Sequence, residues 1–339
     1  MKKRILSLIL ALSMVLSVLP LGAFAADPLP ELVMENGLPD TTNMTATKHP
    51  NGDDVYIGHN WGYNATTKTL TLTDGEFDFS STHPQGKTPG TPTTTPVACA
   101  IVIESGATIT GGTFDGGVFN SGTITKRAIT DSTFNGVVTN NAGGTISGGT
   151  FNATVTNNAG GTISKGTFKR SVENNALGTI AGGTFQSGCS VKNYGTIKDN
   201  GTFEGTVENS GTISGGTFQE TSGVKNEGTF EASTISGGTF EGVVMNNGTN
   251  AIIENGTFNG EVQNSDQGKI SGGAFSSTST VNNYSGTIEK GTFEGSVKNW
   301  DSGTISGGTF AAGLSKSDGH IFGGVFNGVI EVTTGAGVY

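Results

Sequence analysis

The sequence predicts an all-β protein: a single-stranded parallel β-helix (β-solenoid) of about thirteen coils, 17–18 residues each, behind an N-terminal β cap. Three observations carry this. The motif Thr145-Ile146-Ser147-Gly148-Gly149-Thr150-Phe151 recurs three more times, ending at Phe218, Phe240 and Phe310, with looser copies between. Each copy holds three apolar anchors at near-constant offsets. Gly falls at fixed places between the anchors, and the chain has 56 Gly but only nine Pro in 339 residues. Gly far above the usual ~7 %, without Pro, marks tight turns at intervals rather than disorder.

Residues 1–25 read as a signal peptide. Lys2, Lys3 and Arg4 precede an apolar stretch over residues 5–19, and Ala23-Phe24-Ala25 fits an A-x-A cleavage site. No second apolar stretch of eighteen residues follows, so the mature chain is expected not to span a membrane. Cleavage removes three cations and no anion, taking the net charge from −10 to −13. That speaks against a nucleic-acid partner, whose binding rests on Lys and Arg neutralising phosphates. It suits a solvated extracellular surface.

Residues 26–100 lack the repeat and read as the cap that a solenoid needs over its open end. Trp61-Gly62-Tyr63-Asn64 and Lys68-Thr69-Leu70-Thr71-Leu72 have the alternation of a hairpin, and residues 84–96 are rich in Pro and Thr. The first rung is expected to start over residues 99–103.

Residues 101–339 form the repeats. Thirteen Phe anchor them, at 114, 134, 151, 168, 185, 203, 218, 240, 258, 275, 293, 310 and 326. Five residues before each stands an Ile, among them Ile109, Ile129, Ile146 and Ile163; before Phe203 the offset is six, at Ile197. After eleven of the Phe comes Val-x-Asn, from Val118/Asn120 to Val297/Asn299. Seventeen residues broken by Gly-Gly leave no room for a helix pair, and Thr, Ile, Val and Phe favour strands. The two-residue period turns Ile, Phe and Val inward from three short strands. Stacked coils then bury continuous ladders about 4.8 Å apart, over a rod of roughly 60 Å. The Asn after each Val is expected to form a further ladder, amide to amide. The longer intervals Phe114 to Phe134 and Phe218 to Phe240 are expected to bulge outward. Anchor offsets of five, four and eight do not fit a left-handed hexapeptide helix, which favours the right-handed form. Val329 to Val332 still reads as a strand; residues 335–339 then fold over the end, or the chain is a piece of a longer protein.

These repeats resemble those of secreted right-handed β-helix, adhesin-like proteins of Gram-positive bacteria. Trp61 to Leu72 and Ala100-Ile101-Val102-Ile103-Glu104-Ser105-Gly106-Ala107-Thr108-Ile109 resemble the start of β-helix proteins described as carbohydrate-binding. The resemblance implies architecture over most of residues 55–330. Some members of that wider group bind acidic plant polysaccharide with calcium, but this sequence offers no matching calcium-ligand cluster, so no cofactor is expected. No sorting motif or cell-wall-binding repeat is visible.

The same architecture hosts pectate lyases and polygalacturonases. A lyase needs acidic calcium ligands beside a basic residue; here only Arg127 and Arg170 remain after the signal, without clustered Asp. A galacturonase needs several Asp on one face. Here Asp115, Asp131, Asp199, Asp266, Asp301 and Asp318 occur singly, and Asp53-Asp54 reads as a turn. His49, His59, His83 and His320 are scattered, and no Ser-His-Asp, zinc or P-loop spacing occurs. An enzyme is not expected.

Three columns carry the remaining signals. Cys99 and Cys189 lie about five rungs apart, roughly 20–25 Å, beyond the ~7 Å between Cα atoms that a disulfide tolerates. Two free thiols are therefore expected even in a secreted protein. Glu173, Lys192, Glu208 and Lys225, each following a Val, alternate in sign as a cross-strand ladder should. Three residues after Val stand Tyr194, Tyr284 and Trp300, with the last two on neighbouring coils. Stacked exposed aromatics can grip sugar rings, or they can cover local apolar surface. Thr-x-Ser rows would suit ice binding only on a uniform face, and Ala181, Lys198 and Glu289 interrupt this one.

The expected role is a secreted or surface-displayed rod that presents a repetitive face for adhesion to polysaccharide or to surface proteins of host or bacterium. The alternative is a non-catalytic polysaccharide-binding module using Tyr284, Trp300 and Tyr194.

Overall fold

The computed structural model of the chain describes residues 34–35, 38–48, 52–58, 60–78, 97–110, 112–124, 132–228, 231–300 and 302–332. Residues 1–25, expected to be a signal peptide, residues 84–96 and 335–339, His49, His59, His83, Arg127, Ile129, Asp131 and Asp301 lie outside the described residues.

Every described element is a strand. From Ala100 onward the strands pair in parallel, each with its counterpart one coil earlier and one coil later. The result is a β-solenoid of about thirteen turns. Its three apolar ladders run in register. Ile101 and the Val residues from Val118 to Val297 form one, Ile109 to Ile321 the second, and Phe114 to Phe326 the third. Nearly all these anchors are fully buried. The thirteen Phe rings stack in twelve successive pairs, with centroids 4.5–5.0 Å apart and planes within 13°. Each such pair contributes about 0.5–1.5 kcal/mol beyond the area it buries.

The Gly corners follow from this packing. At Gly149, Gly166 and Gly183 the backbone takes φ of +104°, +127° and +108°, and an added Cβ would stand 3.0–3.1 Å from a Phe ring. Both the torsion and the space exclude a side chain.

The expected Asn ladder is present, and it has a direction. Asn120 Nδ2 donates to Asn140 Oδ1, Asn140 to Asn157, and so on through Asn299, at 2.7–2.8 Å in every step. Most Nδ2 atoms also donate to a carbonyl at the following bend, as Asn157 does to Gly161. The Asn120 Oδ1 at the start of the row is buried without a donor.

Two features differ from the sequence expectation. In the second coil the rung is Thr123–Ile124, paired with Ile109 and Ile146, rather than Ile129. Asn120 to Ile124 is the same short bend as Asn193 to Ile197, so the extra residues of this interval follow the strand instead of preceding it. The stack also starts earlier than residues 99–103. Thr69–Asp78 is antiparallel to Trp61–Asn64 and parallel to Ala100–Thr110, with Leu70, Leu72 and Phe77 opposite Ile101, Ile103 and Ile109. One strand thus closes the antiparallel ribbon of Thr47–Lys48, Asp54–Gly58 and Trp61–Asn64 and begins the parallel ladder. In the longest interval, Glu231 and Ala232 are exposed, in line with an outward bulge.

Candidate functional site

The residue after each ladder Asn starts a bend that leads to the next Ile strand, and its side chain leaves the core. Bend length varies from coil to coil. In the third and fourth coils five residues separate Asn157 from Ile163 and Asn174 from Ile180; in the fifth only three separate Asn193 from Ile197. Gly143 and Gly160 take left-handed φ of 80° and 78° in the long bends, and Leu177 takes 66° at the next equivalent position. Gly160 N donates to Leu177 O at 3.1 Å. Tyr194 stands where the bend contracts, in register through Tyr194 N to Asn174 O, and is 46 % exposed.

The same step recurs at Tyr284. The ninth-coil bend is long, with Asp266 and Gln267 both left-handed, and the tenth is one residue shorter. Tyr284 is 41 % exposed. Its ring stacks on Trp300 of the next coil, centroids 6.1 Å apart and planes 17° apart. From the coil after that, Lys316 Nζ lies 3.7 Å from the Trp300 ring centroid and pairs with Asp318 at 3.4 Å. Tyr284 on the rung before and Lys316 on the rung after therefore take the two faces of the Trp300 ring. Its Nε1 is buried without a hydrogen-bond partner.

This arrangement bears on chemistry. A sugar ring stacks on an aromatic face, and Trp300 presents an edge. Tyr284 is partly exposed, and Tyr194 stands five rungs away. The structure brings Tyr284 and Trp300 together and leaves Tyr194 apart. Lys316 escaped the sequence reading because its coil replaces Val-x-Asn by Leu314 and Ser317 with an extra residue between. The link runs through Lys298, two residues before Trp300, which pairs in register with Lys316 on the next coil.

Among the described residues, Asp115, Asp199 and Asp318 have structural partners. Asp115 accepts from Asn135 Nδ2 at 2.8 Å, and Asp199 lies 3.8 Å from Lys198. Asp53 accepts from Asn64 Nδ2 at 2.9 Å, and Asp54 pairs with Lys48. Burial raises the pKa of the Glu104 carboxyl. Among the described residues no group of three or more His, Cys, Asp or Glu is placed to hold a metal ion. Arg170 is exposed on the bend after Phe168.

The charge ladder is in register, Glu173 opposite Lys192, Lys192 opposite Glu208, Glu208 opposite Lys225, and the Lys192–Glu208 ion pair measures 3.7 Å. Cys99 and Cys189 are free and buried. Each lies two residues before its residue of the Val ladder, Ile101 or Val191, five registered steps apart. Burial pushes their thiols up to about 11 and about 12.

Fold and surface together define a class, the parallel β-solenoid repeat protein. Comparison goes no further: no protein-family model, no curated protein and no solved structure matches the chain. Among the described residues no helix is long and apolar enough to cross a membrane.

Proposed function

We propose that this chain is a non-catalytic rod, secreted or displayed on a bacterial surface, that presents a long repetitive face for adhesion. One observation carries the reading. Many of the polar and aromatic groups join coil to coil: the ladder Asn amides on one another, Asp115 on the Asn135 amide, and Tyr284, Trp300 and Lys316 on one stack. The N-terminal basic, apolar and A-x-A sequence supports export. A protein of this kind offers length and repetition, and its partners are expected among surface polysaccharides and proteins.

The Tyr284–Trp300 pair keeps a second reading open, a glycan-binding module that uses the exposed part of Tyr284. Binding of the mature protein to a panel of plant and host polysaccharides, with calcium and with chelator, separates the two. The rod reading expects no saturable polysaccharide binding that depends on Tyr284 and Trp300. Saturable binding lost in a Tyr284→Ala/Trp300→Ala variant would replace it with the glycan reading. Binding lost with chelator but kept by that variant would also overturn it, in favour of an acidic calcium site.

A further inference from the structure

The charge of this rod is segmented along its length. Residues 112–200 carry seven Lys and Arg against four Asp and Glu, whereas residues 201–294 carry three against eleven. An acidic chain thus holds one cationic stretch, followed at once by its most acidic one. The segmentation is sharpest on the outer corner just after the Phe ladder. There the residue following each Phe stays in register, as Lys169 N to Phe151 O, Glu204 N to Phe185 O and Glu241 N to Phe218 O show. Counting coils from Phe114, this ridge bears Lys169 and Arg170 on the fourth coil and carboxylates on the next three but one: Glu204 on the sixth, Glu220 on the seventh and Glu241 on the eighth. Lys169, Arg170 and Glu220 are exposed, and Glu204 and Glu241 are half-buried.

We propose that this ridge is a self-association surface, and that two copies of the chain lie side by side and antiparallel across it. A two-fold axis between the fifth and sixth coils sets the fourth coil of each copy against the seventh of the other. Arg170 then faces Glu220, Lys169 falls between Gln219 and Glu204, and Asn152 faces Glu241. The contact is isologous, so each complementary pair occurs twice. From the first to the tenth coil this register places no carboxylate of the ridge opposite another. A parallel pairing in register would oppose Glu204, Glu220 and Glu241 with their own copies, which like-charge repulsion disfavours.

The magnitude of the attraction sets the conditions. Exposed ion pairs contribute about 0–1 kcal/mol each, and the net negative charge opposes association. The dimer is therefore weak and depends on salt, because exposed charges separated by more than about 8 Å are screened at physiological ionic strength. The partner is a second copy and not an anionic polymer, because the acidic stretches on both sides of the cationic one would repel a polymer longer than a few coils. This inference goes beyond the rod reading and stands on the charge columns alone.

Sedimentation of the mature chain, at about 20 mM and about 500 mM salt, tests it with substitutions on the ridge, none of them at a core position. Wild type is expected to dimerise at low salt and to dissociate at high salt. Lys169→Glu/Arg170→Glu alone, and Glu204→Lys/Glu220→Lys alone, should each weaken self-association at least tenfold. An equimolar mixture of the two variants should pair, and the quadruple charge swap should form the homodimer again. A wild-type protein that stays monomeric at low salt would overturn the proposal. So would dimers that survive either double substitution, or a quadruple swap that stays monomeric.

Discussion

A primary amide buried without water is costly unless all its polar atoms are paired. The ladder Asn residues meet that demand only as a row, each lending a donor to the next. Position in the row therefore sets the cost of losing one. Asn193→Ala leaves one N–H of Asn174 Nδ2 unpaired and leaves Asn209 Oδ1 only the 3.4 Å bond from Gly211 N, and is expected to cost about 2–4 kcal/mol in chemical denaturation. Asn120→Ala orphans only the acceptor of Asn140, and is expected to cost about half as much. Equal losses at the two sites would contradict the claim that position in the row sets the cost.

The thiols give a second prediction at this scale. Both have folded pKa values raised by burial above the reference of 9.0, to about 11 and about 12. Unfolded thiols ionise first as pH rises. Their contribution to stability is then fully present below about 9 and is lost as pH climbs through the folded values. A denaturation series between pH 8 and about 11 should show stability falling more steeply in wild type than in Cys99→Ser/Cys189→Ser. Thiol titration should find two reactive groups after unfolding without reductant, and almost none before.

Among elements, the strands were legible in the sequence and the bends less so. Strand register follows from Ile, Phe and Val at fixed offsets, and that much survives nearly unchanged. Ile129 was misplaced because two Thr- or Ala-linked Ile residues compete within one interval, and the bend length from Asn120 decides for Ile124. Thr69–Asp78 was read as cap alone because its anchors are Leu70, Leu72 and Phe77, outside the repeat pattern. The aromatic column was visible, but its role depends on how far the neighbouring coils' bends project and on Lys316, neither of which the column itself reveals. Leu177 is a bend feature of the same kind. It occupies a left-handed position that Gly fills in the two preceding coils, and 83 % of it is exposed. Left-handed backbone costs a non-Gly residue about 1–2 kcal/mol. Leu177→Gly is accordingly expected to raise stability by about 0.5–1 kcal/mol despite the added chain entropy. At Gly183, with φ of +108° beside the Phe168 ring, Gly183→Ala should lower it by at least about 1 kcal/mol.

For the whole molecule, stacking makes every outer position part of a column, and columns are what a partner meets. The charge ladder, the aromatic stack and the ridge of Lys169 to Glu241 are all consequences of a rung spacing of about 4.8 Å. That spacing is the account's central claim, and a distance measurement tests it directly. Thr139 and Lys225 are 86 residues apart in sequence yet share a column, separated by five registered steps through Thr156, Glu173, Lys192 and Glu208. Spin labels on Thr139→Cys and Lys225→Cys, in a Cys99→Ser/Cys189→Ser background, should give one dipolar distance distribution centred near about 24 Å, broadened by the label arms. A distribution centred at twice that distance, or one too broad to have a centre, would contradict the stacked solenoid and every functional reading built on it.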